Sequence, residues 1–220
     1  MNAGEVWYIV NPIIPIILTL GLIFLIGFFK TSDLLRKLML IYLLVALLID
    51  LLSRYFGYIS ALKFNLFLLP LFGWLEFILF TLMYREILKR TYDRLHFWVF
   101  MIVQVFYIVD VFITGDVRHP RTFSTYSKVL SNLMIIGYAL LYFFEVSKSV
   151  RVTWNYKMLF NSSVVVYFVF NIMITLTTNF LVNEQLELII YFWFANLILT
   201  ATFYLIIIHG IWQNGKTLAR

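Results

Sequence analysis

Seven stretches of this sequence run for about the width of a membrane with little or no charge: Val6–Phe29, Leu38–Tyr58, Phe64–Tyr84, Leu95–Gly115, Thr125–Phe144, Met158–Val182 and Leu188–Trp212. A helix rises 1.5 Å per residue, so roughly 20 apolar residues cross a hydrocarbon core about 30 Å thick. Inside that core every backbone N–H and C=O must find an internal partner, which a helix provides and an irregular segment does not. The fold class that follows is an all-α integral membrane protein with seven transmembrane helices in a single domain, residues 1–220. Charged residues make up 13% of the chain and hydrophobic ones 63%. A soluble domain carries roughly a quarter charged residues, so this chain cannot cover a water-facing surface. Cysteine is absent, which removes disulfides, thiolate metal sites and cysteine nucleophiles. The polar start through Glu5 has no basic region, so the first stretch reads as a retained span rather than a signal peptide.

The net charge of +6 would point to nucleic acid in a soluble protein. Here the basic residues mark the ends of the apolar stretches. Lys30, Arg36, Lys37, Arg85, Lys89, Arg90, Arg94, Lys148, Arg151, Lys157, Lys216 and Arg220 fall on one side, and Arg54, Lys63, Arg118, Arg121 and Lys128 on the other. The positive-inside rule then places the amino terminus outside and the carboxyl terminus in the cytoplasm of a multi-pass protein. Trp7, Trp98, Trp212, Tyr8, Tyr84 and Tyr126 sit near the span ends, where aromatic belts belong. The connections are short, so function has to be sought among polar residues within the bilayer.

An ionisable group inside a span is costly and is a functional candidate by default. Three carboxylates qualify: Asp50 in the second span, Glu76 near the middle of the third and Asp110 in the fourth. Asp50 and Arg54 are one helical turn apart and share a face; the pair reads either as a clamp on helix registry or as part of a site. Uncharged polar residues form stripes on other spans: Gln104, Tyr107, Asp110 and Thr114; Ser131, Asn132, Tyr138 and Tyr142; Tyr167, Asn171, Thr175 and Thr178; Trp193, Asn196 and Thr200. Such stripes turn away from lipid, either to tie helices together or to line a wet cavity. The candidate cavity lining is Asn11, Asp50, Arg54, Glu76, Asp110, Asn132, Asn171, Trp193 and Asn196. Glu76 is the residue expected to couple protons to the solute, with Pro70 and Gly73 as either a hinge or a close-packing point in the same helix. The basic group Arg85, Lys89, Arg90 and Arg94 reads as the ordinary positive-inside signal or as a docking face for a cytoplasmic signalling partner.

The spacing of these residues repeats. Asn11, Asp50 and Glu76 lie 39 and 26 residues apart, and Asn132, Asn171 and Asn196 lie 39 and 25 apart, an offset of 121, 121 and 120. Leu75-Glu76-Phe77-Ile78-Leu79 aligns with Ala195-Asn196-Leu197-Ile198-Leu199, and Tyr84 with Tyr204. This reads as two parallel three-helix bundles, 6–84 and 125–212, joined by the helix over 95–115, an arrangement that places a site between the halves. The 3+1+3 order with an outside amino terminus resembles the topology of the SWEET sugar transporters, the PnuC vitamin transporters and the KDEL receptor. The Pro-Gln pair of PQ-loop proteins is missing; the first span has Asn11-Pro12 and Pro15, and the fifth has no proline. The run from Asn65-Leu66 through Leu75-Glu76-Phe77 to Tyr84 is similar to small seven-helix proteins of bacteria, which implies a bacterial inner-membrane protein.

Microbial rhodopsins share the size and helix number but need a lysine in the seventh span for the retinal Schiff base. Leu188–Trp212 contains none, so no cofactor is expected. His96, His119 and His209 are too dispersed to form a metal site with the carboxylates. The chain therefore reads as a transporter that binds a small polar or cationic solute in a cavity open to the outside. Two other readings remain open: a sensory receptor using the same cavity, and a lipid-modifying enzyme whose dyad is Asp50 and Glu76.

Overall fold

The computed structural model describes residues 3–29, 32–59, 65, 67–88, 90–110, 126–148, 156–184 and 189–218. Among them the regular structure is entirely helical: α1 (Ala3–Val10), α2 (Ile13–Leu25), α3 (Leu34–Arg54), α4 (Leu68–Ile87), α5 (Asp93–Val109), α6 (Tyr126–Ser147), α7 (Tyr156–Glu184) and α8 (Ile189–Leu218). Four helices are long and apolar enough to cross a membrane: Leu68–Ile87, Tyr126–Ser147, Tyr156–Thr177 and Ile190–Gln213.

The other three expected spans depart from that pattern for identifiable reasons. The first is divided at Asn11-Pro12 into α1 and α2. Pro12 has no N–H to give, so the helical bonding stops with Asn11 N donating to Trp7 O at 2.9 Å. Pro15 is harmless in the first turn of α2, where its missing donor would be an orphan anyway. The second, α3, carries Arg36 and Lys37 in its first turn and Asp50 and Arg54 in its last, so its uncharged run is only Leu38–Ile49. The fourth, α5, is 17 residues long, and positions 111–115 of the expected span lie outside the described residues.

The helices form a closed ring in which α2 packs on α3, α3 on α4, α4 on α6, α6 on α7, α7 on α8 and α8 back on α2. α5 stands outside the ring against the seam between α4 and α6, and α1 lies on α8. α5 turns its apolar side outward: Phe97, Trp98, Ile102, Val105 and Ile108 are exposed, and the more polar His96 and Tyr107 are buried.

The centre of the ring is aromatic. Tyr167 and Phe203 stack with centroids 4.1 Å apart, Phe80 meets Phe168 edge-on at 4.9 Å, and Tyr42 meets Phe80 edge-on at 5.2 Å. Pairs of this kind contribute about 0.5–1.5 kcal/mol each beyond the area they bury. Asp33 caps α3: its Oδ1 accepts from Arg36 N at 3.0 Å and Arg36 Nε at 2.9 Å, and its Oδ2 accepts from Tyr156 of α7 at 2.9 Å. Partial burial pushes the Asp33 carboxyl up, but the hydrogen bonds from Arg36 and Tyr156 outweigh it and hold the group below its ordinary value.

Candidate functional site

A pocket of about 360 Å³ opens where α1, α2, α3, α4 and α8 meet. Its polar wall comes from the end of α3, where the helix widens into a π turn at Tyr55–Ile59, a distortion often found at functional sites. Arg54 Nε donates to Asp50 Oδ2 at 2.7 Å, and Arg54 Nη2 donates to the backbone and side-chain oxygens of Asn11 at 2.9 and 3.1 Å. That carbonyl oxygen is available to the guanidinium because the residue four further on, Pro15, has no N–H to donate to it. One acid and one base face each other here, so this wall carries no net charge.

Opposite stand Trp193, Asn196, Thr200 and Tyr204, spaced three, four and four residues along α8 and therefore on one stripe that faces the pocket. Trp193 packs against Trp7 with ring centroids 5.6 Å apart. Asn196 Oδ1 is buried and has no hydrogen-bond partner among the described residues, which is costly unless something else supplies a donor. Ser53, Tyr58 and Asn65 complete the polar lining, with Asn65 Nδ2 donating to Ser53 Oγ at 2.8 Å.

Of the nine residues expected to converge, five line this pocket: Asn11, Asp50, Arg54, Trp193 and Asn196. The other four, Glu76, Asp110, Asn132 and Asn171, do not. Asn132 Nδ2 of α6 donates to Asn171 Oδ1 of α7 at 2.9 Å and ties the two helices together, and Thr175, one turn further along α7, shares that acceptor at 3.5 Å. Asp110 Oδ2 accepts from Ser127 N at 2.8 Å, placing an acid at the amino end of α6 where the helix dipole favours it.

Glu76 lies below the pocket floor. It is 1% exposed, and its Oε1 accepts from Tyr42 at 2.8 Å. Tyr42 in turn packs on Tyr204 and Phe72, which are floor residues, at 6.0 and 6.4 Å. Asp50 and Glu76 thus have separate partners and only Asp50 reaches the pocket, so they are not brought together as a dyad. Pro70 sits in the first turn of an unbroken α4 and makes no kink. Gly73 is a close-packing point: a Cβ there would lie 2.8 Å from Tyr107 Oη and 3.0 Å from Lys128 Cγ.

Lys128 is the residue that the charge count misplaced. It stands in the first turn of α6 but is 7% exposed, packed inward on Gly73. The signal was present in its helical spacing, since Lys128, Ser131, Asn132, Ile135, Tyr138 and Tyr142 all lie on the buried face of α6. Of the basic group at the other end, Arg85 is exposed and approaches Asp93 at 3.9 Å. Lys89 lies outside the described residues, and the structure describes no side chain for Arg90.

Comparison with protein-family models, with curated proteins and with solved structures finds no match.

Proposed function

We propose that the chain crosses a bacterial cytoplasmic membrane seven times, with its amino terminus outside, and binds a small polar solute in the α1–α2–α3–α4–α8 pocket as a transporter. The observation that carries this reading is the pocket itself: five residues chosen for chemistry that is expensive in lipid line a single open cavity instead of five separate helix contacts. Asp50 is already neutralised by Arg54, so the solute that fits best is uncharged or zwitterionic rather than purely cationic. Two tryptophan faces give it apolar walls, and Asn196, Asn65 and Thr200 offer hydrogen bonds that fix its orientation.

The closed aromatic centre beneath Tyr204 supports an outward-open state, in which inward release requires the rings of Tyr42, Phe80, Phe203 and Tyr167 to part. Glu76, held by Tyr42 under the floor, is the group through which that movement would be coupled to a proton. The test is a melting-temperature screen of the purified protein against sugars, amino acids and nucleosides, followed by uptake of the best binder into proteoliposomes. The reading predicts that one class both raises the melting temperature and is taken up, that Trp193→Ala abolishes both effects, and that Asn196→Ala weakens both. Stabilisation without uptake would identify a binding protein or receptor instead, and no stabilisation by any class would remove the solute reading.

A further inference from the structure

The ring holds a second concentration of buried polar groups, among α4, α5, α6 and α7 beyond the pocket floor, and the offset of 120 to 121 residues relates the two. Trp7 corresponds to Lys128 and Trp193 to Gly73; Trp7 packs on Trp193, and Lys128 packs on Gly73. Asn11 corresponds to Asn132 and Asp50 to Asn171; the first pair is bridged by Arg54, and the second is bonded directly. Asn196, which faces the pocket with an unpartnered buried oxygen, corresponds to Glu76, whose Oε2 is also buried without a partner.

We propose that Gly73, Glu76, Tyr107 and Lys128 form a second polar site, the repeat-related counterpart of the pocket, which α5 covers and the Lys128 side chain fills as a tethered alkylammonium. Burial is one support. Glu76 and Lys128 are 1% and 7% exposed, and each acts electrostatically on the other. They do not touch: among the described residues the ion pairs are Arg36–Asp33, Arg54–Asp50 and Arg85–Asp93. A buried carboxylate and a buried ammonium are each costly alone, and on adjoining helices each lowers the cost of the other.

The second support is the position of α5. This helix has no counterpart in a repeat of three helices, and it packs on the α4–α6 seam, where Tyr107 closes over Gly73 and approaches Ser131 Oγ at 3.2 Å. On the other side of the ring α1 lies on α8 and puts Trp7 against Trp193, and the pocket between α2, α3 and α8 is left open. The other ionisable groups that face Glu76 are Tyr42 of α3, Tyr107 of α5, Tyr167 of α7 and Tyr204 of α8. Lys128 is therefore the one cation among the described groups acting on this carboxylate.

If Lys128 is a built-in occupant, cutting it back to its Cβ should leave a place for the ion it resembles. Lys128→Ala removes Cγ to Nζ, a fragment matched by n-propylammonium. In detergent, Lys128→Ala is expected to melt below the wild type, and n-propylammonium is expected to raise its melting temperature with a saturating concentration dependence. The wild type, filled already, and the Glu76→Gln/Lys128→Ala protein, lacking the acid, should not respond. Absence of the rise, or an equal rise in either control, overturns the proposal.

Should Lys128→Ala fail to fold, the neutral pair decides. Glu76→Gln/Lys128→Met should melt above both single variants, whereas additive losses overturn the pairing. No pocket residue is altered in any of these proteins, so failure here would leave the solute reading untouched.

Discussion

The two sides of the ring contain similar polar inventories and treat them differently. On the α1–α2–α3–α8 side, Asn11, Asp50 and Arg54 bond to one another along a wall, and Asn196 faces them across open space. On the α4–α5–α6–α7 side, Asn132 and Asn171 bond directly, and Tyr107 and Lys128 occupy the gap over Gly73. A polar residue in a membrane helix therefore does not mark a site by itself. What separates the two regions is whether a neighbouring side chain uses up the hydrogen bonds or leaves room for a ligand to do so.

Mutations that respect this contrast should divide into those that unfold and those that unbind. The largest stability effect is expected on the closed side: Phe80→Ala empties a position in contact with Tyr42, Phe160, Phe168 and Phe203 and should cost about 3–5 kcal/mol in denaturant titration. Trp193→Ala, at the mouth of the pocket, should cost no more than about 1 kcal/mol while removing solute binding.

Next comes the charged wall. Arg54→Met strands Asp50, and because both side chains keep about a fifth to a quarter of their exposure, the loss should be about 2–3 kcal/mol, below that of a fully buried pair. Adding Asp50→Asn should recover part of it. A smaller effect sharpens the contrast: Asn132→Leu should cost about 0.6 kcal/mol, the usual worth of one such bond between membrane helices, without touching solute affinity. Asn196→Leu should do the opposite, weakening binding about tenfold, the equivalent of roughly 1.4 kcal/mol, with stability unchanged.

The smallest effect is pH-dependent and lies outside both regions, at Asp33. Its carboxyl is held below its ordinary value in the folded protein, so the stability it adds is present above the unfolded value of about 3.9 and fades as the pH falls through the folded one. The melting-temperature difference between the wild type and Asp33→Asn should thus be constant near neutrality and shrink below about pH 4. A difference that grows on acidification would contradict the cap.

The helical class and most of the helix positions were legible from the sequence, because apolar length and helix period leave little choice in lipid. Pro12 and Pro15 were visible as prolines, but that Pro15 leaves the Asn11 carbonyl to Arg54 of α3 was not. Within the candidate site, the α3 and α8 stripes were legible because consecutive turns repeat on one face. Asn132 and Asn171 have the same kind of spacing and bond to each other instead; spacing reveals which face a residue is on, not which helix that face meets. Lys128 was hidden for a related reason: three residues from the start of an apolar stretch, it counts as an end residue, and only the proximity of α4 through Gly73 draws it inward.

The chain has no cysteine, which makes the central contrast directly measurable by labelling single introduced cysteines in intact cells with a membrane-impermeant maleimide. Asn196→Cys should be labelled from the outer side, and Asn132→Cys and Asn171→Cys should stay unlabelled until the protein is denatured. Equal labelling of all three, or of none, would contradict an open outward pocket set against a closed counterpart.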